Sequence, residues 1–352
     1  MTQSPGPVLP PPIPPVYFPP PAFYPPAPRG GFARAVFTAL AVSILGFSLT
    51  LNVYLILASG VLSSNDVRKT NVRAGDLGAT IAVLPINGVI TDEKAAEFDR
   101  LLGEVEADST VKAVVLEVNS PGGSVTASDQ IYARVLRLRA TRKWPVIVSM
   151  GALATSGGYY VACAADRVVA QRTTWTGNIG VLLPRYNVSK LAGQYGVEDI
   201  TIKSTGSEFK DAGSPLKPDT AEQREYFQKL ADDAFVVFKK VVQTGRSLDE
   251  PTVDRIANGK VYSGSDALSL KLVDAVGYLD DAIDLAVTQS GGGRPQAIRF
   301  ERTVGLFEAI GGGSSKSAAN VGVGAGPLNV SLDRALIDDL LTPRPMYLWR
   351  GQ

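Results

Sequence analysis

From Ala35 to Asn65 the chain carries no charged residue, and from Val36 to Leu62 it is dominated by Leu, Val, Ile, Ala and Phe. No other feature restricts the fold so strongly. About 20 apolar residues suffice to cross a bilayer as a helix. A cleaved leader is the rival, because Ala58-Ser59-Gly60 is small enough to be cut. The run is long for a leader's apolar core, so an uncleaved transmembrane helix over 35–62 is expected. Arg29 and Arg34 flank one side and Arg68, Lys69 and Arg73 the other, so charge leaves the orientation open. Upstream, residues 1–28 hold 13 of the 24 prolines, interleaved with Tyr17, Phe18, Phe23 and Tyr24. Such a segment is extended and polyproline-like, either a solvated tail or a docking arm for a proline-recognising partner.

From Ala79 the pattern changes to alternating strands and helices. Thr80–Ile90 reads as a strand ending at Asn87-Gly88, and Asp92–Asp108 has apolar residues at helical spacing. Val111–Val118 reads as a buried strand and Ser124–Arg142 as an amphipathic helix. Pro145–Met150 and Arg167–Ala170 are further strands. Strands alternating with helices predict a parallel sheet with right-handed crossovers. Thr173–Gly180 reads as a polar loop, Asp199–Ser204 as a strand, and Thr220–Arg246 as a long helix. That helix has a wide apolar face from Phe227 to Phe238, suited to covering the sheet or a neighbouring subunit. Asp249–Val287 reads as short helices joined by tight turns. Gly291–Gly326 is rich in glycine and serine, as a flexible tail is, and the apolar residues near Trp349 are expected to dock back as an end-piece. A net charge of +1 gives no bias toward nucleic acid.

The chemistry gathers where strands end. Ser156 follows an apolar strand, is followed by Gly157 and Gly158, and precedes an apolar helical run from Tyr159 to Ala165. A strand, a tight turn and a helix start present a side chain beside free backbone N–H groups. The chain contains no histidine, which excludes every Ser-His-Asp and Cys-His arrangement. A hydroxyl nucleophile here could be served only by a lysine or a carboxylate. The one cysteine, Cys163, has no disulfide partner. Between the second strand and its helix lies Asn119-Ser120-Pro121-Gly122-Gly123, whose turn could form one wall of an oxyanion hole, with the Gly157 N–H as the other. Taken by itself, Lys210, after Phe209, reads as a solvated loop lysine.

Together these stretches resemble the signal peptide peptidase A family of membrane-anchored serine proteases. The matching pieces are Ile86–Ile90, Asn119–Gly123, Ala154–Tyr160, Thr176–Val181, Lys203–Pro215 and Val261–Val276. The resemblance implies an α/β, crotonase/Clp-protease-like fold of repeated ββα units after one transmembrane helix. It implies a Ser–Lys dyad of Ser156 and Lys210, an oxyanion hole from Gly123 and Gly157, and neither cofactor nor metal. The family often carries a lysine-orienting serine where this chain has Asn178, whose side-chain oxygen can still accept from the amine. The implied layout is a Pro-rich cytoplasmic arm (1–34), the membrane helix (35–62), a linker (63–78), a protease domain outside the cytoplasm (79–290) and a Gly-rich tail (291–352). Expected partners are the lipid bilayer, apolar peptides such as cleaved signal-peptide remnants, and further copies in a ring, with no nucleic acid. Two alternatives are a crotonase-type acyl-CoA enzyme, which needs no Ser–Lys pair, and a catalytically inactive membrane scaffold whose Pro-rich arm recruits partners.

Overall fold

The uncharged run forms one helix, α1 (Gly31–Ala58). Its apolar stretch Arg34–Leu55 has 22 residues. At ~1.5 Å per residue this reaches about 33 Å, enough for a hydrocarbon core of ~30 Å. The helix satisfies its own polar side chains. The Thr38 and Thr50 hydroxyls and the Asn52 amide all donate to main-chain carbonyls one turn earlier, at Arg34, Gly46 and Ser48. By length and composition α1 can therefore cross a membrane. The computed structural model describes residues 31–58, 67–303 and 345–348. The proline-rich arm and the glycine- and serine-rich stretch after 303 lie outside the described residues. A second unit begins at Ser63.

That unit is built on a nine-stranded sheet. Its central strands are β2 (Asp76–Asn87), β3 (Val111–Ser120) and β5 (Val146–Thr155), which run parallel. Each is apolar on both faces, as strands covered on both sides must be. On one face Leu84, Leu116 and Val148 pack with Phe98 of α2 (Asp92–Ala107) and Ile131 of α3 (Val125–Arg142). On the other, Ile81, Val83, Val115 and Ile147 pack with Ala282, Ile283 and Ala286 of α9 (Leu279–Gln289). Thr91 and Ser124 cap α2 and α3 by accepting from the N–H groups of Lys94 and Ala127. Both helices thus start where the sequence predicts, within a residue.

The chain leaves the sheet at the carboxyl ends of β3 and β5. After β3 comes β4 (Gly122–Ser124), and after β5 come α4 (Gly157–Ala162) and β6 (Arg167–Ala170). The end of β5 pairs with β7 (Trp175–Gly177), in turn paired with β8 (Val261–Ser263). Then α8 (Gly264–Ser269) leads to β9 (Ala275–Val276) at the sheet edge. Between β7 and β8 lie α5 (Ser189–Gln194), α6 (Ala221–Arg246) and α7 (Glu250–Ile256).

Several expectations are corrected. The predicted loop 173–180 contributes β7, and the predicted helical region after Asp249 includes β8 and β9. The expected linker contains β1 (Val67–Arg73), and the expected tail begins with β10 (Pro295–Arg302), which lies between β1 and β2. Asp199–Ser204 forms no strand. Its alternating Ile200 and Ile202 are 88% and 97% exposed, because no strand among the described residues pairs with this segment. The predicted apolar face of α6 is buried only from Phe238 onward, at Phe238, Val241 and Val242. The end-piece does dock: β11 (Met346–Leu348) pairs with β4.

Candidate active site

Ser156 links β5 to α4 with φ +53° and ψ −114°. A residue with a side chain rarely adopts this conformation, which costs about 1–3 kcal/mol. The turn is held from both sides. The Ser156 N–H donates to the Gly177 carbonyl (2.8 Å), and the Ser156 carbonyl accepts from the Tyr160 N–H (2.8 Å). Pairing between β5 and β7 therefore fixes the strained residue. Its hydroxyl is buried, 1% exposed as a residue, and has no hydrogen-bond partner among the described residues. Leaving a buried hydroxyl unpaired costs a further ~1–3 kcal/mol. Strain and an unpaired hydroxyl at one serine mark a side chain positioned for something other than stability.

Beside it, the two glycine turns meet. Gly122 has φ +96° and its N–H donates to Ser120 Oγ (3.0 Å). Ile90 occupies one edge of the turn: its N–H donates to the Gly122 carbonyl and its carbonyl accepts from the Ser124 N–H. A Cβ added to Gly157 would lie 3.2 Å from both Gly122 Cα and Gly123 N, and one added to Gly122 would lie 2.6 Å from Gly157 N. The Gly123 and Gly157 amides therefore border one small space that any side chain at 122 would fill. The first N–H groups of α4 stand outside the helix's own ladder and are free to face that space.

Lys210 sits on a single 3₁₀ turn, Glu208–Asp211, and is exposed. Its side chain has no hydrogen bond or ion pair among the described residues. No hydrogen bond joins it to Ser156, whose hydroxyl has no partner among the described residues. The turn itself is clamped. Asp211 binds the Lys203 and Lys217 amines, both at 2.6 Å. Those hydrogen bonds, Lys203's first, hold its carboxyl down at about 2. Asp199 is likewise lowered to about 2, chiefly by its bond from Thr201 and then by that from Ser214. Asn178 has φ +51°, and its side-chain amide donates to the Gly259 carbonyl (2.6 Å), leaving the side-chain oxygen as an acceptor. Asparagine tolerates this left-handed conformation better than most residues, so backbone geometry alone gives a reason for it here.

The sequence does not reveal the aromatic cluster beside the serine. Tyr160, Phe238 and Tyr347 are all fully buried and come from α4, α6 and β11. Cys163, one turn further along the chain, is also buried, and burial pushes its thiol up to about 12, so it stays protonated and inert. Among the described residues no group of three or more His, Cys, Asp or Glu side chains could hold a metal ion.

The profile of Peptidase family S49 matches residues 139–291, and that of Clp protease matches residues 79–175. A relative from Methanocaldococcus jannaschii, provisionally named a protease, is 36% identical over 225 residues, covering 63% of this chain and 71% of that protein. One from Enterococcus faecium, provisionally named signal peptide peptidase SppA, is 33% identical over 232 residues, covering 63% of this chain and 67% of that protein. This chain belongs to peptidase family S49. The S49 profile covers Ser156, Gly157, Asn178 and Lys210, and the Clp profile covers Gly123 and Ser156. Protease 4 of Haemophilus influenzae is 36% identical over 214 residues, but this S49 chain spans 34% of that longer relative.

Proposed function

We propose that this S49 peptidase is a membrane-anchored serine endopeptidase acting through an acyl-enzyme. The observation that carries the reading is the buried, unpaired Ser156 hydroxyl on a strained turn, next to the space bordered by the Gly123 and Gly157 amides. Ser156 Oγ attacks the substrate carbonyl while a neutral lysine amine takes its proton. The carbonyl oxygen, now an anion, is held by the two glycine N–H groups. The protonated lysine then gives its proton to the departing amine, and water hydrolyses the ester by the same route in reverse.

Lys210 is the proposed base, supplied by a neighbouring copy in a ring. Three observations support an intermolecular pair: the Ser156 hydroxyl has no hydrogen-bond partner among the described residues, Lys210 is exposed, and large apolar side chains elsewhere in the stretch 195–237 are exposed. Among these are Tyr195 (79% exposed), Ile202 (97%) and, on α6, Val236 (60%). Asn178 is a candidate for orienting the lysine through its free side-chain oxygen. In this reading α1 spans the membrane, the Pro-rich arm is cytoplasmic and the protease domain lies outside the cytoplasm. The substrates are apolar peptides such as signal-peptide remnants.

A fluorophosphonate probe on the full chain in detergent or membranes tests the reading. Peptide mapping should find the adduct on Ser156. Labelling should vanish in Ser156→Ala and fall by at least about a hundredfold in rate in Lys210→Ala, the range lost with a general base. Labelling at another residue, or an unlabelled Ser156 in the assembled protein, would overturn it.

A further inference from the structure

Lys210 is carried by a single 3₁₀ turn of four residues, and so short a turn has little stability of its own. In the main chain the Lys210 N–H donates to the Ser207 carbonyl and the Ala212 N–H to the Phe209 carbonyl, both at 3.0 Å. Further support comes from side chains. The Lys203 amine spans the turn: it donates to the Glu208 carbonyl (3.0 Å) at the first residue and to the Asp211 carboxylate (2.6 Å) at the last. The other Asp211 oxygen accepts from the Lys217 amine (2.6 Å), which ties the turn to the chain that follows it. The Phe209 ring lies against Tyr226 of α6, with centres 5.3 Å apart.

A second carboxylate braces the first. Asp199 accepts from the Thr201 N–H (3.0 Å) and the Ser214 hydroxyl (2.8 Å), and stands 3.6 Å from the Lys217 amine. The Ser214 N–H in turn donates to the Asp211 carbonyl (3.0 Å). Both carboxylates are 10% exposed, although the loop that carries them lies at the surface. Of the three lysines between residues 199 and 217, Lys203 and Lys217 are therefore taken up by carboxylates. Lys210 is exposed and has no partner among the described residues. That difference matters for a base, which must be neutral when it acts, because a carboxylate beside an amine holds it charged. Asp211 is next to Lys210 in the chain, yet each of its oxygens already accepts from another amine.

We propose that Asp211 and Lys203 are positioning residues for the base: together they fix the turn that presents Lys210, and they keep the adjacent carboxylate from pairing with its amine. The inference rests on Lys210 being the base of the proposed reaction. A lysine lent to a neighbouring copy must hold its place from its own side of the contact, and a turn stapled at both ends does so. Placement of a reacting group is worth much in rate, since an error of ~1 Å can cost about a hundredfold.

The test uses the full chain in detergent, with turnover of an apolar peptide and the rate at which a fluorophosphonate labels Ser156. Asp211→Asn keeps the shape of the side chain but loses its charge, and Lys203→Met keeps most of the bulk without the amine. Each should lower kcat by about thirtyfold or more, with KM within about twofold of wild type, as expected when a base is misplaced and binding is not. Asp211→Glu, which restores the charge, should recover most of the loss. The labelling rate separates positioning from general damage. In a Lys210→Ala background, adding Asp211→Asn should change that rate by less than about twofold, because a residue acting through the lysine has nothing left to place. If Asp211→Asn slows labelling equally with and without Lys210, or if sedimentation shows that its whole effect is lost assembly, the carboxylate serves the fold and the inference fails. Unchanged kcat in both single variants overturns it as well. A slow Lys210→Ala beside a normal Asp211→Asn removes the inference alone, whereas a Lys210→Ala protein labelled at the wild-type rate removes the base reading and the inference together.

Discussion

Gly122→Ala separates the proposed oxyanion space from the fold that carries it. At φ +96° an alanine is strained, at a cost of about 1–3 kcal/mol in stability. For a domain of this size each kcal/mol lowers Tm by about 2–4 °C. The new methyl would also lie 2.0 Å from the Tyr347 carbonyl oxygen and 2.6 Å from Gly157 N, inside contact distance of both, so it also displaces the 345–348 strand. It either fills the space between the two amides or drives the turn outward and takes the Gly123 N–H with it. Losing one such donor lowers turnover by about 10²–10³-fold. The control is Gly88→Ala, where φ is +75° but an added Cβ meets nothing within 4 Å. Gly88→Ala carries the strain without entering the site, so it should shift Tm alone. The assay is kcat and KM on an apolar peptide, with a thermal melt for each variant. Gly122→Ala should lose kcat far more than its melt explains. If its turnover stays within about threefold of wild type, or if Gly88→Ala loses as much, the two amides are not the oxyanion donors.

Two further outcomes follow from the geometry around Lys210. Ser156→Ala and Lys210→Ala proteins, each inactive alone, should regain about a quarter of wild-type activity after one-to-one subunit exchange, because a head-to-tail contact joins an intact serine to an intact lysine in one arrangement of four; inactivity of well-exchanged rings would place the pair in one chain. The Asp199–Asp211 clamp should open in acid: both carboxyls are lowered to about 2 in the fold, against about 3.9 unfolded, so their contribution is complete above about pH 4 and is lost as pH falls toward 2. Hydrogen exchange across residues 199–217 reads this directly, and Asp211→Asn should show the open loop at neutral pH; unchanged protection down to pH 2 would contradict it.

What was legible in the sequence follows from how local its causes are. β3 and β5 are apolar on both faces, and α2 and α3 carry their own caps, so their existence and ends could be read without the fold. The two glycine turns could be read because each stands at the end of such a strand. β1 could not, since Val67–Arg73 is an edge strand with Arg68, Lys69 and Arg73 among its seven residues and matches a linker in composition. β10 follows three glycines with positive φ and is recognisable only from Ala297 and Phe300, whose burial depends on strands more than two hundred residues earlier. The aromatic cluster around Tyr347 combines residues from α4, α6 and β11, and no window of sequence contains it.

In the segment carrying Lys210, Asp199–Ser204 alternates like a strand, yet Ile200 and Ile202 remain exposed, and so do Val236 and Val237 on α6. Sequence patterning records burial in the working state of a protein, whether the cover comes from its own chain or another. Here the uncovered residues flank the lysine in sequence, and the hydroxyl without a partner among the described residues belongs to the serine. In the proposed ring a neighbour would supply the cover for the first and the base for the second at the same contact. Each chain can build its strained Ser156 turn alone, because β7 and α4 hold it from within. In that ring the base would arrive only with the neighbour, so proteolysis would begin with assembly, and a dissociated chain would carry the proposed oxyanion space beside an unactivated serine.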